Sequence, residues 1–368
     1  MPDRPLVLVN MLSYTGTKGG METYTRELYR ELGTMDTGLE FVALASKEGG
    51  RLDLSWFPGE VIRSRISGEN RFVWAVGELL GSSWFARRRR VDLVHSPATL
   101  GPMRTSMPSI LTIHDMLYWS HPELMSTPLY TQPVKWMEKR GASNAAHVIT
   151  DSHVSADEIV KYLGFPRERL HVVPLAAAPA RAVRTSTRGS ENLILASGQR
   201  RPHKNWDRLV RALALVDEEI RPRLVITGGR GDDPVAPVVA ETGLADWVEL
   251  RGWVEDDELA QLRRRARAMA FPTLAEGFGL PVLEAMSQGL PVLASRLPVL
   301  QEVGGDAAVW FDPLDVESIA AALRTAATRP DVLDELIAAG YQRARLFSWE
   351  RVARETVEVF HRALAERA

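Results

Sequence analysis

Cysteine is absent from all 368 residues, which excludes disulfides, thiolate-bound zinc and a thiol nucleophile. No segment reaches the ~18 uninterrupted apolar residues of a membrane-spanning helix. Met1-Pro-Asp-Arg-Pro5 runs toward a strand without a signal-peptide pattern. A cytoplasmic protein is the expectation, with any membrane contact peripheral, at the inner face. A surplus of one charge is missing too: 45 Lys+Arg stand against 47 Asp+Glu, a formal net charge of −2, so no nucleic-acid partner is expected. The GxGxxG dinucleotide fingerprint does not occur, which disfavours a nicotinamide dehydrogenase. No histidines stand at metal-ligand spacing. Asp256-Asp257 reads as the cap and first turn of a helix, and Asp232-Asp233 lies in a Gly-rich turn. Neither a metal nor a cofactor is therefore expected.

What the chain does contain is alternation of buried strands with helices. Leu6–Val9, Asp92–His95, Ile110–Ile113, His147–Thr150 and Leu170–Val173 are short apolar runs without alternation, as parallel sheets require. Met21–Leu32 has an apolar face, and Ser152 caps a helix of about Ser155–Leu163 that Gly164 stops. Residues 176–188, rich in Ala, Pro, Ser, Thr and Arg, read as a linker. The pattern then restarts with strands at Asn192–Leu195, Arg223–Ile226, Val248–Leu250 and Ala268–Phe271, and helices at Trp206–Val216 and Asp256–Arg267. Domains commonly run to ~100–200 residues. The expectation is α/β, with two Rossmann-like domains of parallel sheets facing each other across a cleft, and ligands at the carboxyl ends of the strands. Residues 1–180 form the first domain and 181–348 the second. In a last helix, 349–368, Trp349, Val352, Ala353, Val357, Phe360 and Leu364 make the apolar stripe.

The segment Glu276-Gly-Phe-Gly-Leu-Pro-Val-Leu-Glu284 carries the chemistry. Glu276 stands in a Gly-rich turn and Glu284 in the first turn of a helix. Pro281 suits the helix start, Gly289 its left-handed end, and a strand follows to Ser295. Glycines let a ligand approach the backbone, and the N–H groups and dipole of the following helix attract a diphosphate. The two carboxylates can accept hydrogen bonds from the hydroxyls of a sugar and a ribose. Alone, two such glutamates would be a dipole-complementing residue and a solvated one; the glycines, the proline and the strand favour a nucleotide-sugar site.

Residues 272–295 resemble, almost position for position, the central block of the retaining glycosyltransferases of family 4, with its EX7E signature and GT-B fold, and the resemblance covers nearly the whole chain. It implies that Glu284 holds the ribose, Glu276 the donor sugar, and the backbone at Phe278, Gly279 and Leu280 the diphosphate. It implies further that Gly19 and Gly20 of Gly-Gly-Met-Glu22 approach the donor phosphate or the acceptor, and that His114 of the His114-Asp115 pair lies near the donor sugar. Lys204, after the first strand of the second domain, would neutralise the leaving group. The family's arginine just after the glycine is replaced here by Gln199, with Arg200 or Arg201 as substitute. Val173–Ala177 departs from the relatives' Asn-Gly-Val-Asp, so no linker residue is carried over. His95 is read as structural or acceptor-side. The last helix would cross back to the first domain.

The implied function is transfer of a sugar, with GDP-mannose as first guess, from a nucleoside diphosphate to a hydroxyl of a glycan, lipid-linked or small-molecule acceptor, with retention and without metal. Alternatives are an epimerase or phosphorylase on the same scaffold, or a catalytically silent sugar-nucleotide-binding subunit. Residues 71–90, with Phe72, Trp74, Val76, Leu79, Leu80, Trp84 and Phe85 ending in Arg87–Arg90, read either as an amphipathic helix for an anionic membrane surface or as a helix whose cationic end complements its dipole.

Overall fold

The computed structural model describes residues 4–17, 19–125, 128–178 and 184–367. Part of the expected linker, 179–183, and the first three residues lie outside them. The chain divides into two compact units, residues 1–175 with 348–368, and residues 176–347.

The first unit is built on seven parallel strands: β1 (Leu6–Met11), β2 (Glu40–Ala45), β3 (Gly59–Arg63), β4 (Leu93–Ser96), β5 (Ser109–Thr112), β6 (His147–Thr150) and β7 (Leu170–Val172). Their order is β3-β2-β1-β4-β5-β6-β7. Helices α1 (Gly20–Leu32), α2 (Arg71–Val76), α3 (Ser82–Arg89), α4 (Leu117–Ser120), α5 (Pro128–Asn144) and α6 (His153–Leu163) connect them. Ser152 caps α6 by accepting from Ser155 N–H, and Gly164 ends it at φ 68°. Strands β2 and β3 were not singled out by the sequence reading, although Phe41–Ala45 is a fully buried apolar run of the same kind as β1.

The expected helix at 71–90 is two α segments joined by a π turn over Gly77–Gly81. Buried Glu78 anchors that turn, accepting from Trp74 Nε1 at 2.8 Å and from Asn10 at the end of β1. A Cβ at Gly77 would lie 2.6 Å from Ile66, so this turn needs a residue without one.

The second unit has six parallel strands: β8 (Leu193–Ser197), β9 (Arg223–Gly229), β10 (Val248–Gly252), β11 (Ala268–Phe271), β12 (Val292–Ser295) and β13 (Ala308–Phe311), in the order β10-β9-β8-β11-β12-β13. Around them run α7 (Trp206–Ala214), α8 (Ala236–Glu241), α9 (Asp256–Arg265), α10 (Leu280–Ser287), α11 (Pro298–Gly304), α12 (Val316–Thr328) and α13 (Pro330–Ala344). On α7, Trp206, Leu209, Val210 and Leu213 recur at helical spacing and are buried against Ile194, Ile226 and Phe311. Leu209 is wholly enclosed, so truncating it to Ala would cost about 2–5 kcal/mol.

Two helix starts differ from the sequence reading. Glu255, not Asp256, is the N-cap of α9. Helix α10 begins at Leu280, so Glu284 stands in its second turn rather than its first.

The last helix, α14 (Trp349–Ala365), belongs to the first unit. Ser348 caps it through Arg351 N–H, His361 Nε2 bonds the Thr37 carbonyl at 2.9 Å, and Phe360 lies 5.1 Å from the His95 ring. Its buried stripe is Val352, Ala353, Thr356, Val359, Phe360 and Ala363. Trp349, Val357 and Leu364, expected on that stripe, are only half-buried. Thr356 and Ala363 face inward in their place, on the same face as Val352 and Val359.

Candidate active site

In the second unit, strand order decides which loops meet. β8 and β11 are neighbours, pairing Ile194 with Ala268 and Leu195 with Met269. The loops after them, 198–205 and 272–279, therefore leave the same edge of the sheet side by side. Asn205 fastens one to the other: it holds φ 60°, unusual for a residue with a side chain, and its Nδ2 bonds the carbonyls of Pro272 (3.0 Å) and Pro313 (2.8 Å). The His203 carbonyl accepts from Leu274 N–H (2.7 Å) and Thr273 Oγ1 (3.1 Å). The outcome is an ion pair between Lys204 Nζ and Glu276, each side chain 15% exposed, with Lys204 also 5.0 Å above the Phe271 ring.

Glu276 leads directly into the start of α10. Gly279 adopts φ 97° at its N-cap, a conformation that suits glycine, and no side chain caps the helix. The Gly279 carbonyl takes the N–H groups of Val282 and Leu283 and Pro281 has none, so the Leu280 N–H lies at the positive dipole end of the helix. Phe278 is buried edge-on to Phe347 at 6.0 Å. In the second turn, Glu284 Oε2 accepts from Arg263 Nη2 at 2.6 Å.

The two candidate arginines are not equivalent. Arg200 spends all five N–H groups inside the protein. Its Nε meets Asp233 at 2.8 and 3.0 Å, Nη1 the carbonyls of Gly198 and Thr227, and Nη2 those of Ile226 and Arg251. It has no donor left for a phosphate, and Asp233 of the Asp232-Asp233 turn is its counterion. Arg201 is exposed and bonds only Gln199 Oε1 through Nε, which leaves its terminal nitrogens in solvent.

The first unit arranges its polar groups differently. Gly19, at φ 66°, opens α1, and a Cβ at Gly19 or Gly20 would meet nothing within 4 Å. Glu22 folds back to accept from the N–H groups of Thr15 (2.6 Å) and Gly16 (3.0 Å), shaping the loop that carries these glycines. β5 and β6 run side by side with Thr112 opposite Ile149, so the next residues along bring His114 to Asp151. His114 Nδ1 lies 2.7 Å from Asp151 Oδ2, and Nε2 lies 3.0 Å from the Pro97 carbonyl. Both nitrogens are thus engaged, and the ring is 8% exposed. Burial pulls its pKa down, but the Asp151 carboxylate and the Pro97 carbonyl outweigh that and raise it. A proton on each nitrogen satisfies both acceptors.

His95 is fully buried between Tyr29 OH and Thr112 Oγ1 (3.0 Å). Burial drives its pKa to about 3, so it is a neutral structural histidine. Among the described residues no cluster of three metal-ligating side chains occurs, and no helix is long and apolar enough to cross a membrane.

Asn205 and Asp233 are the positioning residues that sequence reasoning passed over. Asn205 stood beside the lysine without a role; its only signal was an asparagine at the junction of a loop and a helix. Arg263 was one of three arginines at the end of α9, with nothing to mark it as the one that turns inward.

Residues 182–343 match the family model described as Glycosyl transferases group 1, and residues 18–181 that described as Glycosyltransferase Family 4. The chain is 30% identical over 295 residues to the O-antigen chain mannosyltransferase B of Escherichia coli, covering 76% of each protein. It is 31% identical over 298 residues to the MMP alpha-(1->4)-mannosyltransferase of Mycolicibacterium hassiacum, covering 76% of this chain and 72% of that one. Among solved structures, Anabaena HepE in complex with UDP and glucose superposes with a TM-score of 0.75 at 16% identity, covering 98% of this chain and all of the other. Two parallel-sheet Rossmann-like units and this loop chemistry define a glycosyltransferase of the GT-B fold. The chain belongs to glycosyltransferase family 4.

Proposed function

We propose that this enzyme moves mannose from GDP-mannose to a hydroxyl of a glycan acceptor, free or lipid-linked, with retention of configuration and without a metal ion. The observation that carries the reading is the Lys204–Glu276 pair, held by crosslinked loops at the uncapped start of α10. The two mannosyltransferase relatives support the choice of sugar.

Each member of that pair occupies the other until a donor arrives. The diphosphate then takes Lys204, the terminal nitrogens of Arg201 and the N–H groups from Phe278 to Leu280, while Glu276 turns to the sugar hydroxyls. Glu284 accepts from the ribose hydroxyls. As the bond from the sugar to the phosphate breaks, negative charge gathers on the diphosphate, and donors fixed in advance stabilise it at little reorganisation cost. No side chain of this set is a placed covalent nucleophile. The acceptor oxygen therefore enters on the face the phosphate leaves, through an oxocarbenium-like state. In the first unit, Gly19 and Gly20 offer open backbone, and His114 reaches a sugar hydroxyl only by exchanging its Pro97 carbonyl.

A peripheral membrane contact fits the same reading. Phe72, Val76, Leu80 and Trp84, four residues apart, are 87, 59, 58 and 57% exposed and line an open groove of about 550 Å³ with Ile66 and Val73. The exposed arginines Arg87–Arg90 follow directly, Arg88 lying 5.7 Å from the Trp84 ring. Apolar anchors beside cations suit an anionic bilayer surface. Sedimentation with phosphatidylglycerol-containing vesicles, but not with pure phosphatidylcholine, is expected, and Phe72→Asp/Trp84→Asp should abolish it. Equal recovery of the variant would remove the membrane from the account.

The donor assignment is tested by thermal shift against GDP, UDP, dTDP and ADP, with and without magnesium. A ligand far above its Kd stabilises by RT ln(1 + [L]/Kd). A magnesium-independent shift with GDP supports the reading; a shift with another base moves the donor, and no shift with any of them counts against the catalytic roles.

A further inference from the structure

We infer that Arg263 is the positioning residue for ribose recognition, orienting Glu284 so that its carboxylate presents accepting lone pairs to the ribose hydroxyls; this rests on the proposed role of Glu284. Three arginines end α9, where cations complement the helix dipole. Only Arg263 turns inward. Arg265 pairs with Glu191 at the surface, both side chains about half exposed, whereas the Arg263 side chain is 12% exposed and reaches Glu284 on α10.

The contact is half made. Nη2 bonds Glu284 Oε2 at 2.6 Å, while the neighbouring Nε is buried and has no partner. Nε and Nη2 together form the side edge of a guanidinium, a two-pronged donor that matches the two oxygens of a carboxylate. A buried N–H without an acceptor is costly, so the unliganded arrangement is poised to close. A small rotation of the Glu284 carboxylate brings its second oxygen onto Nε. In that orientation each oxygen takes one N–H from Arg263 and keeps a lone pair for one hydroxyl of the ribose. Glutamate alone has three side-chain torsions to fix on binding a diol; the fork fixes them in advance.

The test compares binding of GDP with 2′-deoxy-GDP, and of UDP with 2′-deoxy-UDP, by calorimetry, for wild type, Glu284→Ala, Arg263→Ala and Arg263→Lys. Wild type should prefer the ribonucleotide by about tenfold, one hydrogen bond to a charged group. Glu284→Ala should lose the preference. Arg263→Ala should lose most of it, and Arg263→Lys, which keeps the charge but not the fork, should retain only part. A merely structural Arg263 would change melting temperature and leave this ratio alone. If Glu284→Ala loses the preference and both Arg263 variants keep it in full, Arg263 has no positioning role. If wild type has no preference, or Glu284→Ala keeps it, the ribose role of Glu284 falls first and Arg263 with it. Should Arg263→Ala fail to fold, Arg263→Lys decides: a full wild-type ratio overturns the proposal.

Discussion

In the second unit the charged side chains proposed to serve the donor hold one another in pairs, Lys204 with Glu276 and Arg263 with Glu284, all partly open to solvent. In the first unit the polar side chains of the corresponding sheet edge are closed. His114 is bonded on both nitrogens, His95 is sealed between Tyr29 and Thr112, and Glu22 is spent on its own loop. Both edges come from the same parallel architecture. The difference teaches that one edge keeps charged groups within reach of solvent, as the proposed donor site requires. The other supplies shape, open backbone at Gly19 and Gly20, and rigidity. The arginine neighbours Arg200 and Arg201 repeat the contrast within one loop, the first a fully bonded clamp and the second free at its tip.

Substitutions at six positions press on this contrast. Among the cations the largest effect on activity is expected at Lys204: Lys204→Ala should lower turnover on the order of 100-fold, the scale of losing one preorganised donor at a developing charge. Combined with Glu276→Ala it should cost much less than the product of the two, because the pair acts as a unit. Steady-state rates of the two single variants and the double variant read this out directly. A multiplicative double variant would mean that the pair seen here is incidental.

Next comes Arg200. Its side chain is 5% exposed, and removing it takes the counterion from Asp233 and a donor from four carbonyls. Arg200→Ala should cost about 3–5 kcal/mol of stability in denaturant unfolding. Arg201→Ala should leave the unfolding midpoint in place and weaken donor binding severalfold. The reverse pattern would exchange their roles. Glu284→Ala should raise the donor Kd roughly ten- to a hundredfold, about 1.5–3 kcal/mol, with turnover at saturation little changed; a large fall in turnover at saturation would place Glu284 nearer the reacting centre.

The last effect concerns the first unit and is read in stability alone. Glu138 on α5 is buried against Trp119 Nε1 at 2.7 Å, and burial raises its pKa to about 8, with Asp115 adding repulsion and the Trp119 N–H and Lys135 pulling it back. Its folded pKa lies above the unfolded value of 4.5. The folded chain therefore holds a proton that the unfolded chain releases, and stability falls as pH rises from the unfolded value to about 8. Glu138→Gln should flatten that slope, with the gain in melting temperature over wild type growing from pH 5 to pH 8. A constant difference across that range would show that Glu138 is ionised in the fold.

Much of the architecture was legible in the chain because parallel strands buried on both faces are plain apolar runs, and most of the strands expected between Leu6 and Ser295 appear within two or three residues. Strand β3 was not, since Gly59–Arg63 is half exposed and has no apolar run. The glutamates were legible through their glycines and proline. Their partners were not, because pairing depends on which strands are neighbours. The loop after β8 meets the loop after β11, 72 residues on, and only the sheet order says so. Arg200 and Arg201 look alike in sequence. Carbonyls of β9, Gly198 and Arg251, with the Asp233 carboxylate, separate them, and such acceptors leave no compositional trace.

The most direct test is nucleotide release from GDP-mannose, or from the donor the nucleotide panel selects, by wild type and Glu276→Ala at saturating donor. The account predicts that the variant falls close to background while its melting temperature stays near that of wild type. Intact turnover in Glu276→Ala would contradict the assignment of the second unit's paired carboxylate and lysine as the centre of the reaction.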